Sequence, residues 1–388
     1  MLDVEIKGIS FSNKGAELML TAIQEQFRQR AIAARFVVEP NFDFSQRSRY
    51  GVWPKNRHIY KRLNILAPVG WLPQRIRRLL GIVKSNEIDC VLDASGFSYG
   101  DFWSSKVAAD RLGTSVKKLT ARGVPVVLLP QALGPFNKSA NAKAFIPILA
   151  HADIVFARDQ MSLEHAQRLP VQPKKLQQAP DFTCLVEPEP PRGLQPPKQA
   201  VCFITNEKMA TDPERRQRYL AWMIALVRQA QALAVPVYFV QHGGLADQRL
   251  AEEIIAQCDP QIPFLSAADA KQTKWLIGQS KVVVGSRFHA LVSALSQGIP
   301  VIATSWSHKY QALLSDYQCT AQLYSCEQER EAGEQLQQLL TDPSFYQQQQ
   351  QQLQACAKQQ KSLTKAMWEE VFQILDAKLS SRQKSATD

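Results

Sequence analysis

The chain has 388 residues, 45% of them hydrophobic and 21% charged, an ordinary globular composition on a chain too long for one core of typical size; two domains are expected. The net charge is +11, but no nucleic-acid motif accompanies it, and no apolar run reaches membrane-spanning length. The seven cysteines show no CxxC spacing, which argues for reduced thiols and against a zinc site, and the opening MLDVEIKGIS lacks a signal-peptide pattern, so a cytoplasmic location is expected.

In chain order, Val4 to Ser10 reads as an apolar-leaning strand and SNKGAELML as the turn into a helix with Ala16, Leu20, Ile23 and Phe27 on its buried stripe. Asn13 thus falls at the carboxyl end of the first strand, although no GxGxxG fingerprint is present. A second strand is expected over Arg35 to Glu39. The stretch from Arg47 to Asn86 then holds ten Lys or Arg and no Asp or Glu, interleaved with Tyr50, Trp53, Tyr60 and Trp71; without it the chain is nearly neutral. Such a stretch is either a solvated basic face or a surface for an anionic partner, and Gln74 to Lys84 within it is read as an amphipathic helix.

Strands follow at Asp89 to Ala94, Val124 to Leu129 and Asp153 to Ala157, separated by helices at Lys106 to Arg122 and Asn137 to His151, with another helix from Gln160 to Arg168. This alternation predicts a parallel sheet covered by helices, whose strand ends present Asp101, Gln131 and Arg158. Pro170 to Gln199 holds eight prolines and reads as a linker, with Asp181 its one pointed polar residue. The pattern restarts at Val201 and continues through a long helix at Pro213 to Ala234, a strand ending in His242-Gly243-Gly244, and helices at Ala246 to Cys258 and Asp269 to Gln279. The expected organisation is an N-terminal Rossmann-like domain over 1–170 with a basic insertion at 47–86, a linker over 171–199, a second Rossmann-like domain over 200–345 and a helical tail over 346–388. In that tail a low-complexity Gln-rich run over Gln347 to Lys361 precedes a packed helix around Met367 to Leu375.

Lys281 to Tyr310 is the most pointed stretch. Val282 to Gly285 is a short buried strand, and Ser286 is read as the N-cap of a helix whose first turn carries Arg287 and His289. Gly298 suits the helix end, Val301 to Thr304 is the next strand, and His308 and Lys309 follow it. Unpaired N–H groups and the positive end of the helix dipole attract anions at such a turn, although residues two apart on a helix do not face the same way. A solvent-facing helix start with a chance Arg and His is the alternative.

With these motifs placed, the chain resembles the polysaccharide pyruvyl transferase family over roughly residues 4–310. SNKGAELML is similar to that family's turn into its first helix, SGFSYGD to its Gly-rich loop ending in Asp, and PQALGPF to its Gln and Gly-Pro segment. FARDQMS and APDF resemble its Arg-acid-x-x-Ser and Pro-Asp elements, and GSRFHALVSALSQGIPVIATSWSHKY its Arg-x-His helix start with a downstream Lys. Two departures stand out: the loop reads Ala94-Ser95-Gly96 where several glycines are usual, and 47–86 has no counterpart. The resemblance implies two Rossmann-like parallel-sheet domains facing across a cleft, as in glycosyltransferase-B folds, with the C-terminal helix crossing back to the first. It implies phosphoenolpyruvate as donor and a cyclic pyruvate ketal on a glycan or lipid-linked oligosaccharide as product.

Arginine forks suit the phosphate and carboxylate of that donor, so Arg158 and Arg287 are its expected ligands, with the backbone of Phe288, and Lys309 for the departing phosphate. His289 is the expected general acid and then base. Asn13, Asp101 and Asp181 are assigned to the acceptor side or to shaping loops, no metal or cofactor is expected, and His242 and His308 are weaker candidates. A glycosyltransferase using a nucleotide sugar and a non-catalytic glycan-binding relative are the competing readings. The ten uncompensated cations with their aromatics also suggest docking on an anionic membrane surface, at its inner face.

Overall fold

A computed structural model of the chain describes residues 1–11, 13–40, 44–57, 59–60, 63–307 and 309–384; His308 lies outside them. The chain folds as two compact units. One comprises Met1–Phe11, Ala22–Pro180 and Lys365–Asp388, the other Ser12–Thr21 and Asp181–Thr364.

The first unit is built on strands β1 (Leu2–Lys7), β2 (Ala34–Val38), β3 (Val52–Pro54), β6 (Cys90–Asp93), β7 (Val126–Gln131), β8 (Ile154–Ala157) and β9 (Leu176–Gln178), with a small hairpin of β4 (Ile59–Tyr60) and β5 (Leu63–Asn64) outside that sheet. The sheet order is β3-β2-β1-β6-β7-β8-β9 and all its pairs are parallel, with Val4 opposite Cys90 and Val91 opposite Val126. Helices α1 (Lys14–Gln29), α2 (Phe44–Arg49), α3 (Gln74–Leu79), α4 (Ser105–Ala108), α5 (Val116–Ala121), α6 (Ser139–His151) and α7 (Gln160–Gln167) connect them. The predominantly apolar β6, β7 and β8 are buried on both faces, as expected for central strands of a parallel sheet.

The second unit repeats the plan with strands β10 (Val201–Ile204), β11 (Val237–Val240), β12 (Phe264–Leu265), β13 (Val282–Gly285), β14 (Val301–Thr304) and β15 (Leu323–Tyr324), in the order β12-β11-β10-β13-β14-β15. Its helices are α8 (Pro213–Ala232), α9 (Leu245–Cys258), α10 (Ala270–Gly278), α11 (Phe288–Leu295), α12 (Lys309–Asp316), α13 (Glu329–Thr341) and the long α14 (Pro343–Lys384). Strand order reverses between β10 and β13, the switch point beside which open α/β sheets bind ligands at the carboxyl ends of their strands.

Several expectations are redrawn. The Pro-rich stretch is not a bare connector: Leu176–Gln178 adds strand β9 to the first sheet, and the longer segment of the second unit begins at Asp181. The helix expected over Lys106 to Arg122 is broken near Gly113, where an added methyl would press on the Ala144 carbonyl at 2.8 Å. The Gln-rich run is helical, because Leu353, Cys356 and Ala357 recur on one face and are buried in the core of the second unit. From Lys365 onward α14 belongs to the first unit, where Phe372 packs edge-on to Phe27 with ring centroids 5.0 Å apart.

The alternation in β1 has an unexpected consequence. Val4 and Ile6 face one side, while Asp3, Glu5 and Lys7 face the other, and all three charged residues are buried. Cations from the basic stretch meet them there. Lys55 donates to both Glu5 oxygens at 2.7 and 2.8 Å, and Arg78 to Asp3 at 2.8 Å. Burial works to raise the Glu5 pKa, yet Lys7 and Lys55 outweigh it and hold the carboxyl at about 2 rather than the usual 4.5.

Glu5→Gln removes the carboxylate that two buried ammonium groups share, leaving Lys7 only Glu39 at 3.6 Å, and is expected to destabilise by about 3–5 kcal/mol in denaturant titration. Because the folded pKa is depressed, Glu5's contribution is complete above the ordinary 4.5 and fades as pH falls toward 2. The variant should lack that segment of the stability–pH curve.

Candidate functional site

Strand β13 ends at Gly285, where a Cβ would stand 2.7 Å from the Ile204 carbonyl oxygen, so the missing side chain permits the close approach of the two backbones. The chain then runs extended through Ser286 and Arg287 before α11 begins. Arg287, not Ser286, is the N-cap, and its side chain does not cap the helix. Ser286 is fully buried: its carbonyl accepts from Tyr310 Oη at 2.7 Å and Asn206 Nδ2 at 2.5 Å, and its hydroxyl meets Tyr219 Oη at 3.2 Å. The cap reading fails because these three partners fix the residue one position too early. Since Arg287 stands outside the helix, the rule that residues two apart on a helix diverge does not apply to it and His289.

Arg287 is held by a residue the sequence reading overlooked. Asp247, in the first turn of α9, receives its Nε at 2.6 Å on one carboxylate oxygen and its Nη2 on the other, a fork-to-fork pair. Asp247 is 2% exposed; it also accepts the Glu207 N–H at 2.9 Å, while its carbonyl accepts Thr205 Oγ1 at 2.7 Å. The signal available was an acid just past a Gly-Gly turn after β11, which resembles any helix start.

His289 is the second residue of α11. Its Nε2 is buried without a hydrogen bond, and the nearest acid is Asp181 Oδ2 at 3.5 Å. Asp181 is itself fixed, because its Oδ1 accepts from the N–H of Thr183 at 3.0 Å and from its hydroxyl at 2.5 Å, capping a short 3₁₀ turn over Phe182–Leu185. Lys274 from α10 braces the same turn by donating to the Thr183 carbonyl at 3.1 Å; burial lowers its pKa to about 8. The other ring nitrogen, Nδ1, lies against Gly15, where a methyl group would overlap it and come within 2.8 Å of Cγ.

The start of α1 is therefore part of this site. Asn13 Oδ1 accepts the Gly15 N–H at 2.8 Å, the Lys14 N–H donates to the His242 carbonyl at 3.1 Å, and buried Glu17 accepts the Ala270 N–H at 2.7 Å. Lys14 Nζ bonds Glu17 at 2.9 Å and the Ala268 carbonyl at 3.0 Å. His242 is 3% exposed with an unpartnered Nδ1, and burial first, then the charges of Arg287, His289 and Lys14, push its pKa well below the ordinary 6.5. It stays neutral among cations. Lys309 opens α12 with its ammonium over the Trp306 ring at 4.5 Å and the Phe288 ring at 5.4 Å. Phe288 is buried and meets the His289 ring edge-on. Asn13, Asp181, Arg287, Phe288, His289 and Lys309 all belong to the second unit.

Arg158 and Asp101 belong to the first. Arg158 follows β8, is buried, and donates its N–H to the Gln131 carbonyl at 2.8 Å. Asp159 caps α7, receiving the Ser162 N–H at 2.7 Å, and its other oxygen is buried without a partner, as are Gln131 Oε1 and Ser95 Oγ. Asp101 ties loops together: its carboxylate accepts from the N–H of Asn137 at 2.7 Å, the N–H of Lys138 at 3.2 Å and the Asn141 amide at 3.1 Å. Among the described residues no cluster of three or more His, Cys, Asp or Glu forms a metal-binding group.

Comparison with known proteins gives this geometry a context. A family model described as polysaccharide pyruvyl transferase matches residues 13–308. No curated protein matches the sequence. Among solved structures, the Anabaena protein Alr3699/HepE in complex with UDP-glucose is similar with a TM-score of 0.60 at 15% identity, over 97% of this chain and 100% of that one. The UDP-GlcNAc 2-epimerase of Neisseria meningitidis bound to UDP-GlcNAc follows with a TM-score of 0.59 at 11% identity, over 96% and 100%. The S. aureus MnaA–UDP co-structure gives 0.57 at 12% identity, over 92% and 94%. Likeness at this identity shows the fold, that of the glycosyltransferase-B enzymes.

Gly15→Ala tests the packing at His289. Helix propensity alone favours the alanine by about 1 kcal/mol. Here the methyl displaces the imidazole, and a misplacement of that kind is expected to cost about 10²-fold in turnover with little change in thermal stability. Asp247→Asn removes the buried counter-charge of Arg287, leaving only Glu207 at 3.9 Å, and should cost about 3 kcal/mol in denaturant titration. His242 should show no imidazole titration by NMR near its ordinary 6.5; since the unfolded chain takes up that proton and the folded one does not, its contribution to stability is lost as pH falls below 6.5.

Proposed function

The chain belongs to the polysaccharide pyruvyl transferase family, and from that premise we propose that it moves pyruvate from phosphoenolpyruvate onto two hydroxyls of one sugar, in a polysaccharide or its lipid-linked precursor, releasing phosphate. The observation that carries the reading is His289: a ring at the start of α11, with an unbonded Nε2 beside the Asp181 carboxylate and the Arg287 fork on the preceding residue but one.

In this reading Asp181, 3.5 Å from Nε2, balances the ring's charge while it carries a proton, and Nδ1, the nitrogen beside Gly15, exchanges that proton. His289 protonates the methylene carbon of phosphoenolpyruvate, turning the double bond into a methyl group and leaving an oxocarbenium-like carbon. A sugar hydroxyl adds to that carbon and returns its proton to His289. The carbon–oxygen bond to phosphate then breaks with its electron pair going to phosphate, the second hydroxyl closes the ketal, and its proton leaves with the phosphate. Arg287 and the N–H groups of the first turn of α11 hold the donor's anionic groups, Lys309 receives the departing phosphate, and the family pattern assigns Arg158 to the donor as well. Asn13 shapes the turn facing His289, and Asp101 the loop after β6. No cofactor or metal is invoked, and the reaction is placed in the cytoplasm.

The test is release of inorganic phosphate from phosphoenolpyruvate in the presence of a glycan acceptor. His289→Gln is expected to lower turnover about 10²–10⁴-fold. Asp181→Asn keeps the Thr183 contacts and should lower it about 10²-fold. Arg287 is best probed as Arg287→Lys, because Arg287→Ala strands the buried Asp247 carboxylate and confounds binding with stability. Lysine keeps the charge and loses the fork, so the donor KM should rise with the fold intact. The structural relatives bound to UDP and UDP-sugars favour one competing reading, a nucleotide-sugar transferase. UDP release from UDP-glucose with an acceptor, and no phosphate release from phosphoenolpyruvate, would establish that reading instead.

A further inference from the structure

Helix α3 is built inside out. On most helices of a water-soluble fold the apolar stripe faces the core and the charges face solvent. Here Arg77 and Arg78 face inward. Arg77 is 4% exposed and pairs through both terminal nitrogens with Glu87, at 2.7 and 2.5 Å, while Arg78 pairs with Asp3 at 2.8 Å. With those two residues fixed, spacing sends Ile76, Leu79 and Leu80 to the other side, as neighbours three and four apart. They are 45%, 88% and 56% exposed, and Trp71, just before the helix, is 86% exposed.

The exposure is local. Of thirteen large hydrophobic side chains exposed among the described residues, six fall between Ile65 and Leu80. Ile65 and Leu80 also line a cavity of about 330 Å³ together with Leu66, Ile82 and Arg47, an apolar floor with a cation on its wall. Arg75 stands exposed on the helix, and the whole stretch from Arg47 to Asn86 contains no acid. Clustered apolar groups of this extent mark an interaction site. The occupant must accept aliphatic and indole side chains and offer negative charge.

We infer that this face docks on an anionic membrane surface, with Trp71, Leu72, Ile76, Leu79 and Leu80 entering the headgroup and acyl boundary and Arg75 meeting lipid phosphates. An exposed Trp, four exposed aliphatic side chains and cations with no acid among them are the composition of an interfacial element, and that charge complementarity selects an anionic lipid surface. No helix among the described residues is long and apolar enough to cross a membrane, so the attachment is peripheral. The inference does not depend on which reaction the chain catalyses.

Co-sedimentation of the full chain with phosphatidylcholine vesicles, with and without phosphatidylglycerol, tests it. Binding is expected only with phosphatidylglycerol and should weaken with salt. Arg75→Gln should weaken binding about fivefold. Trp71→Ser and Leu79→Ser should each weaken it about tenfold; both sites are surface positions, and circular dichroism checks that the fold is kept. Equal binding to neutral vesicles, or binding untouched by all three substitutions, overturns the inference. So does a dimer in sedimentation velocity that Trp71→Ser and Leu79→Ser dissolve while no vesicle binding is seen, which would make the patch an interface between copies.

Discussion

A guanidinium that cannot lose its charge and a carboxylate almost entirely removed from water hold the second unit's site together. Arg287 and Asp247 lie on different elements, and neither tolerates burial alone. Their pairing sets where β13 hands over to α11. With Arg287 drawn to α9, the residue after it begins the helix and His289 takes the second helical position. Ser286 is then locked from the other side by Tyr310, Asn206 and Tyr219, so the backbone leading to the site has no slack. The imidazole is positioned by what surrounds that backbone: Asp181 on one nitrogen, and on the other a glycine small enough to leave it room.

Electrostatic economy explains the neighbours. Arg287, Lys14 and Lys309 bring positive charge to the unit, and the buried His242 stays neutral because burial first, and then the charges around it, oppose its protonation. An imidazolium there would add repulsion without a counter-ion. Lys14 spends its charge on Glu17 and the Ala268 carbonyl, stitching α1 to the start of α10, and Lys309 rests over aromatic rings. The start of α11 adds the positive end of a helix dipole to this set of charges.

The first unit uses charge differently. One face of β1 carries Asp3, Glu5 and Lys7 beneath the surface, and the stretch that supplies most of the chain's net charge supplies their partners. Lys55, Arg77 and Arg78 thus serve the fold, and they account for part of a basic excess that looks like a single solvated patch in the sequence. Turning those arginines inward is also what turns α3's apolar residues outward.

Local information settled much of this protein. Buried strands such as Val282–Gly285 and Val126–Gln131, the helices between them, and the Arg-x-His start of α11 are visible because they depend on residues a few positions apart, where hydrophobic period and turn chemistry act. The family-bearing motifs, among them Arg287, His289 and Asp181, are legible for the same reason. What stayed hidden depends on distant partners. Strand β9 has no apolar period of its own and exists because β8 offers an edge. Asp247 is 40 residues from Arg287, Glu5 is 50 from Lys55, and Asp3 is 75 from Arg78. The sequence by itself determined which residues carry charge and where most of the strands and helices lie. Only the tertiary structure decided which charges neutralise one another, that His242 and His289 each keep an unbonded ring nitrogen, and which face of α3 meets solvent, because those outcomes rest on Coulomb and packing terms between groups that meet only after the chain has folded.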